Sequence, residues 1–239
     1  MNLEEVINWT NKNSGFLGLL LFAGSLIAGW TSGLFKSLIK KPKLKVRFID
    51  KLSFYSFFYT GNKWFHKELN EEFELHKTGF VVYMAISNIG SAPTAIDKIW
   101  IGYKKNTIKN KLFRKNLNWL AQWHSVEPFR IELNNGSMIE IQNLRTKNNV
   151  LDNRDHNRID LGSSIIGAAY FEQPEAWGSL NPQQDEQGLI NVIVKIRDVY
   201  QRSYKFKTVL KQLPIEEARA YNEHFGSVEQ LTVKEQKSG

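Results

Sequence analysis

No cysteine occurs among the 239 residues. This excludes a disulfide framework, a thiol nucleophile and a zinc–thiolate site, and it fits any redox compartment. Histidine is scarce: His66, His76, His124, His156 and His224 are the whole set. None stands at ligand spacing from another and no HExxH occurs, so neither a metal site nor a cofactor is expected. A Gly-rich phosphate loop, a nucleophile elbow and kinase motifs are also missing, and no catalytic residue is assigned. Acid is in short supply, with 24 Asp and Glu against 32 Lys and Arg, a net charge of +8. Such a balance suits anionic lipid, nucleic acid or acidic ligands. Disorder is excluded by a hydrophobic share of 42% and an aromatic share of 13%, which are those of a chain with a core.

What is present begins with an uncharged stretch from Asn13 to Phe35. At 1.5 Å per residue, roughly 20 helical residues cover about 30 Å, the thickness of a bilayer's hydrocarbon core. A cleaved signal peptide would need a basic leader and a shorter apolar core. Here the start reads Met-Asn-Leu-Glu-Glu and the run ends in lysines. A buried core helix is a second rival, but soluble helices avoid so many glycines. The stretch is therefore read as a single transmembrane helix. Lys36, Lys40, Lys41, Lys43, Lys45 and Arg47 follow it with no acid among them, whereas Glu4 and Glu5 precede it against Lys12. The positive-inside rule then puts the N-terminus outside and the rest of the chain in the cytosol, at the cell (inner) membrane. The same cations are candidates for anionic-lipid contact, with an ordinary solvated strand face as the rival for Lys43, Lys45 and Arg47.

Within the span, Ser25, Gly29 and Gly33 recur at every fourth position, and Gly24 and Ala28 occupy the next strip. Small residues at this spacing let two helix backbones pack closely, so a homo-oligomer is expected.

Beyond Pro42 the pattern is mainly β. Lys43–Asp50 alternates with period two, Leu44, Val46 and Phe48 on one face. The aromatic run from Phe54 to Phe65 suits a core strand with Gly61-Asn62 as its turn, or alternatively the membrane interface. Glu68–Glu74 reads as a solvated loop or short helix. Phe80–Ile86 and Ile96–Tyr103 are strands around Asn88-Ile-Gly-Ser-Ala-Pro93. An Asn-Gly turn divides two alternating runs between Phe129 and Ile141. Leu189–Asp198 and Tyr204–Leu210 alternate about a third turn. Leu112, Leu117, Leu120 and Trp123 suggest a short helical insert near 104–124, and residues 145–158 a polar loop. Pro214 to Gly226 carries helix start and stop signals.

The segment strand–Asn-x-Gly-x-x-Pro-x-x-Ile–strand at 80–103, the turn at 129–141 and the closing alternation at 189–210 together resemble immunoglobulin-like bacterial β-sandwich domains. The resemblance implies an antiparallel sandwich with a hairpin at Asn88–Pro93. It implies no activity and no site, because the architecture hosts many functions. The expected organisation is thus an anchor and basic segment at 1–41, a sandwich at 42–213 and a C-terminal helix and tail at 214–239.

Candidate ligand residues are Lys104, Lys105, Lys109, Lys111, Arg114 and Lys115, with Trp119 and Trp123 following. Cations interleaved with rings suit a nucleotide or single-stranded nucleic acid; a solvated loop or lipid contact are the rivals. Asp152, Asp155 and His156 form a weaker acid–base cluster for a hydrolase. The leading expectation is a non-enzymatic, membrane-tethered binding module acting through an unidentified protein partner and self-association. The alternative is a ligand-gated membrane effector of the bacterial cell-suicide or antiphage type.

Overall fold

The computed structural model describes residues 2–33, 40–106, 117–123, 127–146, 158–176 and 180–226. The chain divides into two units, Met1–Lys41 and Pro42–Gly239.

Among its described residues the first unit holds two helices, α1 (Leu3–Lys12) and α2 (Ser14–Thr31). Sequence inspection missed α1. Asn2 and Glu5 form a capping box at its start, and Glu4 and Glu5 occupy its first turn, where they oppose the positive helix end. Its apolar residues Val6, Ile7 and Trp9 lie towards one side of the helix, with Glu4, Asn8 and Lys12 on the other. Asn13 separates the helices with backbone angles outside the helical range, φ −112° and ψ 19°. α2 is long and apolar enough to cross a membrane, a property that a signal sequence near an N-terminus shares.

The second unit is mainly β. Its strands are β1 (Leu44–Phe48), β2 (Phe54–His66), β3 (Glu71–Asn88), β4 (Thr94–Lys104), β5 (Leu117–Ala121), β6 (Phe129–Glu132), β7 (Met138–Ile141), β8 (Arg158–Ile159), β9 (Ser164–Glu172), β10 (Ile190–Asp198) and β11 (Ser203–Gln212). A further helix, α3, spans Ile215–Tyr221. The strands fall into two pairing groups. In one, β3 pairs antiparallel with β1, β2 and β9. In the other, β10 pairs antiparallel with β4 and β11, and β4 with β5 and β8. A short parallel contact, Lys211 and Gln212 opposite Phe54 and Tyr55, joins them and makes the topology mixed.

Period-two patterning explains the core. Leu44, Tyr55, Phe80, Val82, Met84 and Ile86 from the first group meet Ile99, Ile101, Val192, Val194, Ile196 and Leu210 from the second in one buried cluster. A second cluster forms where the β6–β7 hairpin and α3 cover Phe54, Phe58, Val81 and Tyr170. The Asn-Gly turn closes that hairpin with Gly136 at φ +77°, as its sequence suggests. The β10–β11 hairpin and the alternation of β1 also match the reading from sequence.

Five expectations need correction. Leu117–Ala121 is a strand and not part of a helical insert, because pairing with β4 satisfies its backbone and only Leu120 turns into the core. Glu71–Glu74 is strand and not loop or helix; Trp64 sits opposite Phe73, and Lys63 pairs with Glu72 at 3.1 Å. Gly61, at φ +81°, makes an irregularity within β2, and the chain reverses after His66 instead. The aromatic run is split: Phe54, Tyr55 and Phe58 are buried, whereas Tyr59, Trp64 and Phe65 are exposed. Finally, β3 and β4 do not pair as a hairpin; Asn88–Pro93 carries the chain from one pairing group to the other.

Candidate functional site

β10, β4, β5 and β11 present one face to the shared core and the other outward. Cross-strand register fixes what stands on the outward face. Lys195 lies between Trp100 and Lys205, and Arg197 lies between Lys98 and Ser203. Ile193 lies between Gly102 and Lys207, while Gly102 faces Trp119 on its other side. Lys104 and Lys211 extend the face along β4 and β11. Alternation puts seven cations on three neighbouring strands, β4, β10 and β11, about 4.8 Å apart.

Their local geometry is ordered by two indoles. A Cβ on Gly102 would meet the Trp119 ring at 2.8 Å, so the ring lies flat against the strand and only glycine fits beneath it. The Lys195 ammonium stands 4.1 Å from the Trp100 ring centre and 4.9 Å from that of Trp119. The Arg197 guanidinium stands 5.2 Å from Trp100 and donates to Asp97 Oδ2 at 2.7 Å. Cation–π contacts and one buried carboxylate thus hold two of the cations in place. A cleft of about 430 Å³ at the Lys104 and Lys207 end is lined also by Gln184 and Asp185. Asp185 Oδ1 accepts from the Gln187 and Leu189 amides of its own turn at 2.9 and 2.8 Å.

Beneath this face the buried hydroxyls are structural. Tyr103 donates to the Leu180 carbonyl at 2.9 Å and accepts from Gln173 and Asn118. Burial raises its pKa, and that of Tyr55, so both remain phenols.

Of the ligand residues expected from sequence, Lys104 and Trp119 are on the cationic face. Lys105 forms a separate bridge with Pro182, and Trp123 pairs with Tyr170 beside the second core cluster. Lys109, Lys111, Arg114 and Lys115 lie outside the described residues, as do Asp152, Asp155 and His156 of the hydrolase cluster and Lys36 of the basic segment. Lys43, Lys45 and Arg47 are exposed on one side of β1, and Lys40 and Lys41 precede them, also exposed. Gly24, Ser25, Ala28 and Gly29 lie in α2, the Ser25 hydroxyl donating to the Phe22 carbonyl at 2.7 Å. Gly33 is not on that helical face: it follows the helix end at φ +76° and donates to the Trp30 carbonyl, a left-handed terminator.

Reading the sequence missed Lys98, Trp100, Lys195, Lys205, Lys207 and Lys211, and saw Arg197 only as a scattered charge without a role. The only local signal was the Lys-x-Lys spacing of β11; the rest meet through register between strands far apart in the chain. Also missed were Glu127, Glu223 and His224, which bring ligand atoms within 4.8 Å of one another. Two of the three are exposed, and no second feature points to an ion there.

No family model matches the chain, and no curated protein matches it. Among solved structures it is similar to a structural-genomics protein from Bordetella pertussis assigned the name ApaA, at 8% identity and a TM-score of 0.30, covering 73% of this chain and 97% of that one. A second structural-genomics target is similar at 9% identity and a TM-score of 0.24, covering 72% and 85%. Scores this low carry no argument about fold or function.

Proposed function

We propose that this chain is a non-enzymatic binding module, tethered by α2 as a single span, with its N-terminus outside and an immunoglobulin-like β-sandwich in the cytosol. Its working surface is the outward face of β5, β4, β10 and β11, and its partner is an acidic segment of another protein. The carrying observation is the set of seven cations that share one face, two of them, Lys195 and Arg197, held against Trp100 and Trp119. A core shared by two pairing groups supports the sandwich. An acidic peptide is favoured over stacked bases because Lys195 and Arg197 already stand over the indole rings. Self-association through Gly24, Ser25, Ala28 and Gly29 belongs to the same reading.

The test is a titration of the full chain in nanodiscs with a fluorescent polyglutamate peptide and with oligothymidylate. Polyglutamate is expected to bind with an affinity that falls as salt rises. Combined Lys195→Glu, Lys205→Glu and Lys207→Glu substitutions are expected to weaken it about tenfold or more, equal to 1.4 kcal/mol. Equal binding by parent and variant refutes this surface. Tight oligothymidylate binding that is lost with Trp119→Ala gives the face to nucleic acid instead. The effector reading draws on the same small-residue strip of α2; a membrane potential that stays constant in every ligand and oligomer state rejects it.

A further inference from the structure

Four stretches of backbone converge where the β unit begins at Pro42. The Tyr204 hydroxyl donates to the Pro42 carbonyl at 3.0 Å, bringing the β10–β11 turn beside it. The Ile89 amide donates to the Lys43 carbonyl at 2.8 Å, which brings the β3–β4 connection there. Asn88, wholly buried, ties that connection to the turn before β9: its amide donates to Ser163, and its carbonyl accepts from Gly162 at 2.9 Å. Its side-chain amide donates to Ala92 and Ile159, and its side-chain oxygen accepts from Gly90 and Lys43. The three turns are therefore one rigid end of the unit, built around the point where the chain arrives from α2.

Each turn carries one large apolar or aromatic side chain in solvent. Ile89 is 53% exposed, Leu161 is 55% exposed and Tyr200 is 54% exposed. Lys43 lies at the same end in the exposed class, Arg202 is half-buried over the Tyr200 ring at 5.9 Å, and Lys40 and Lys41 immediately precede Pro42 in the chain. The acids there are committed: Asp160 pairs with Arg158 at 3.0 Å. Asp198 is buried and accepts from the Tyr200 and Arg202 amides, with the Tyr204 hydroxyl, whose one proton it shares with Pro42, 3.2 Å away.

We infer that this end seats on an anionic bilayer, with Ile89, Leu161 and Tyr200 entering the interfacial layer and the cations meeting lipid headgroups. Aliphatic tips and a tyrosine with a polar end suit that layer, and the basic surround suits anionic lipid. Covalent continuity with an apolar helix argues for a bilayer over a second copy or an acidic protein, since the linker brings this end and not another to the membrane. The inference rests on the tethered reading for that delivery, and its test separates the two.

The chain has no cysteine, so single substitutions Ile89→Cys, Leu161→Cys and Tyr200→Cys take a nitroxide at one place each. Ile166→Cys, 54% exposed on β9, is the control, and Leu21→Cys reports the span. The full chain goes into bilayers of phosphatidylcholine with or without phosphatidylglycerol, and relaxation by oxygen is compared with relaxation by a water-soluble nickel chelate. With phosphatidylglycerol, the three turn labels are expected to favour oxygen several-fold over Ile166 and to move towards it in neutral lipid. Turn labels as open to nickel as Ile166, with Leu21 in lipid, overturn the seat and leave the tether intact. Leu21 open to nickel overturns both. Line broadening between Leu161 labels on different molecules, together with low oxygen relaxation at all three turn labels, gives this end to a second copy and also overturns it.

Discussion

Glu172 is 5% exposed, accepts from the Tyr170 hydroxyl at 2.9 Å and faces Lys77 at 3.6 Å. Burial raises its carboxyl pKa, and the hydrogen bond and lysine only partly offset that. The folded state therefore binds this proton more tightly than the unfolded state does. Stability from this group is present below the free glutamate value, about 4.3, and is lost as pH rises through the raised folded value. Glu172→Gln is expected to remove that downward slope, so the variant gains on the parent between acid and neutral pH. Urea unfolding at a series of pH values checks this; parallel curves refute it. Gly102 makes a different case. An added methyl would have to displace the Trp119 ring from 2.8 Å, and overpacking of this kind costs about 1–3 kcal/mol. Gly102→Ala is expected to show that loss in denaturant together with an altered near-ultraviolet circular dichroism signal from the indole.

α3 is only seven residues long, too short to be stable alone, so its docking must supply its stability. Just beyond it, Phe225 is fully buried against Phe54, Phe58 and Tyr170, with ring centres 5.4–6.2 Å apart, and one ring edge lies over Gly79. Phe225→Ala is expected to cost about 3–5 kcal/mol in chemical unfolding. A cost below 1 kcal/mol would mean that the segment does not close the second core cluster. This element was legible from sequence because Pro214, Glu216, Glu217 and Gly226 are local signals. So were the turns at Gly136 and between β10 and β11. β5 was misread because Leu117, Leu120 and Trp123 fit helical spacing, while strand pairing, which decided the matter, is not a local property. The β3–β4 connection failed similarly: Asn88–Pro93 has the chemistry of a turn, but whether two strands pair across it depends on β1, β9 and β10.

Across the whole molecule, charge is arranged more informatively than its net value of +8 suggests. Lysines that look like unremarkable alternation in β10 and β11 become a continuous face once β4 and β5 lie beside them, which explains why the candidate site was barely readable beforehand. The basic segment after α2, by contrast, was plain, because orientation depends on charge close to the span and not on the fold. That gives a clean test. Lys40, Lys41 and Lys43 flank one side of the apolar helix and Glu4 and Glu5 the other, and on the tethered reading proposed above such a lysine and arginine bias keeps the C-terminal side in the cytosol. Glu4→Lys and Glu5→Lys combined with Lys36→Glu, Lys40→Glu, Lys41→Glu, Lys43→Glu and Lys45→Glu give three cations before the helix against Arg47 alone in the basic segment after it, which reverses the bias. A reporter fused after Gly239 is expected to be cytosolic in the parent and exported in most of the variant chains. With no cysteine, the β unit has no disulfide chemistry to trap it on either side. A parent reporter active outside would reverse the orientation, and intact mass showing loss of the first residues would make the apolar helix a leader and end the tethered reading.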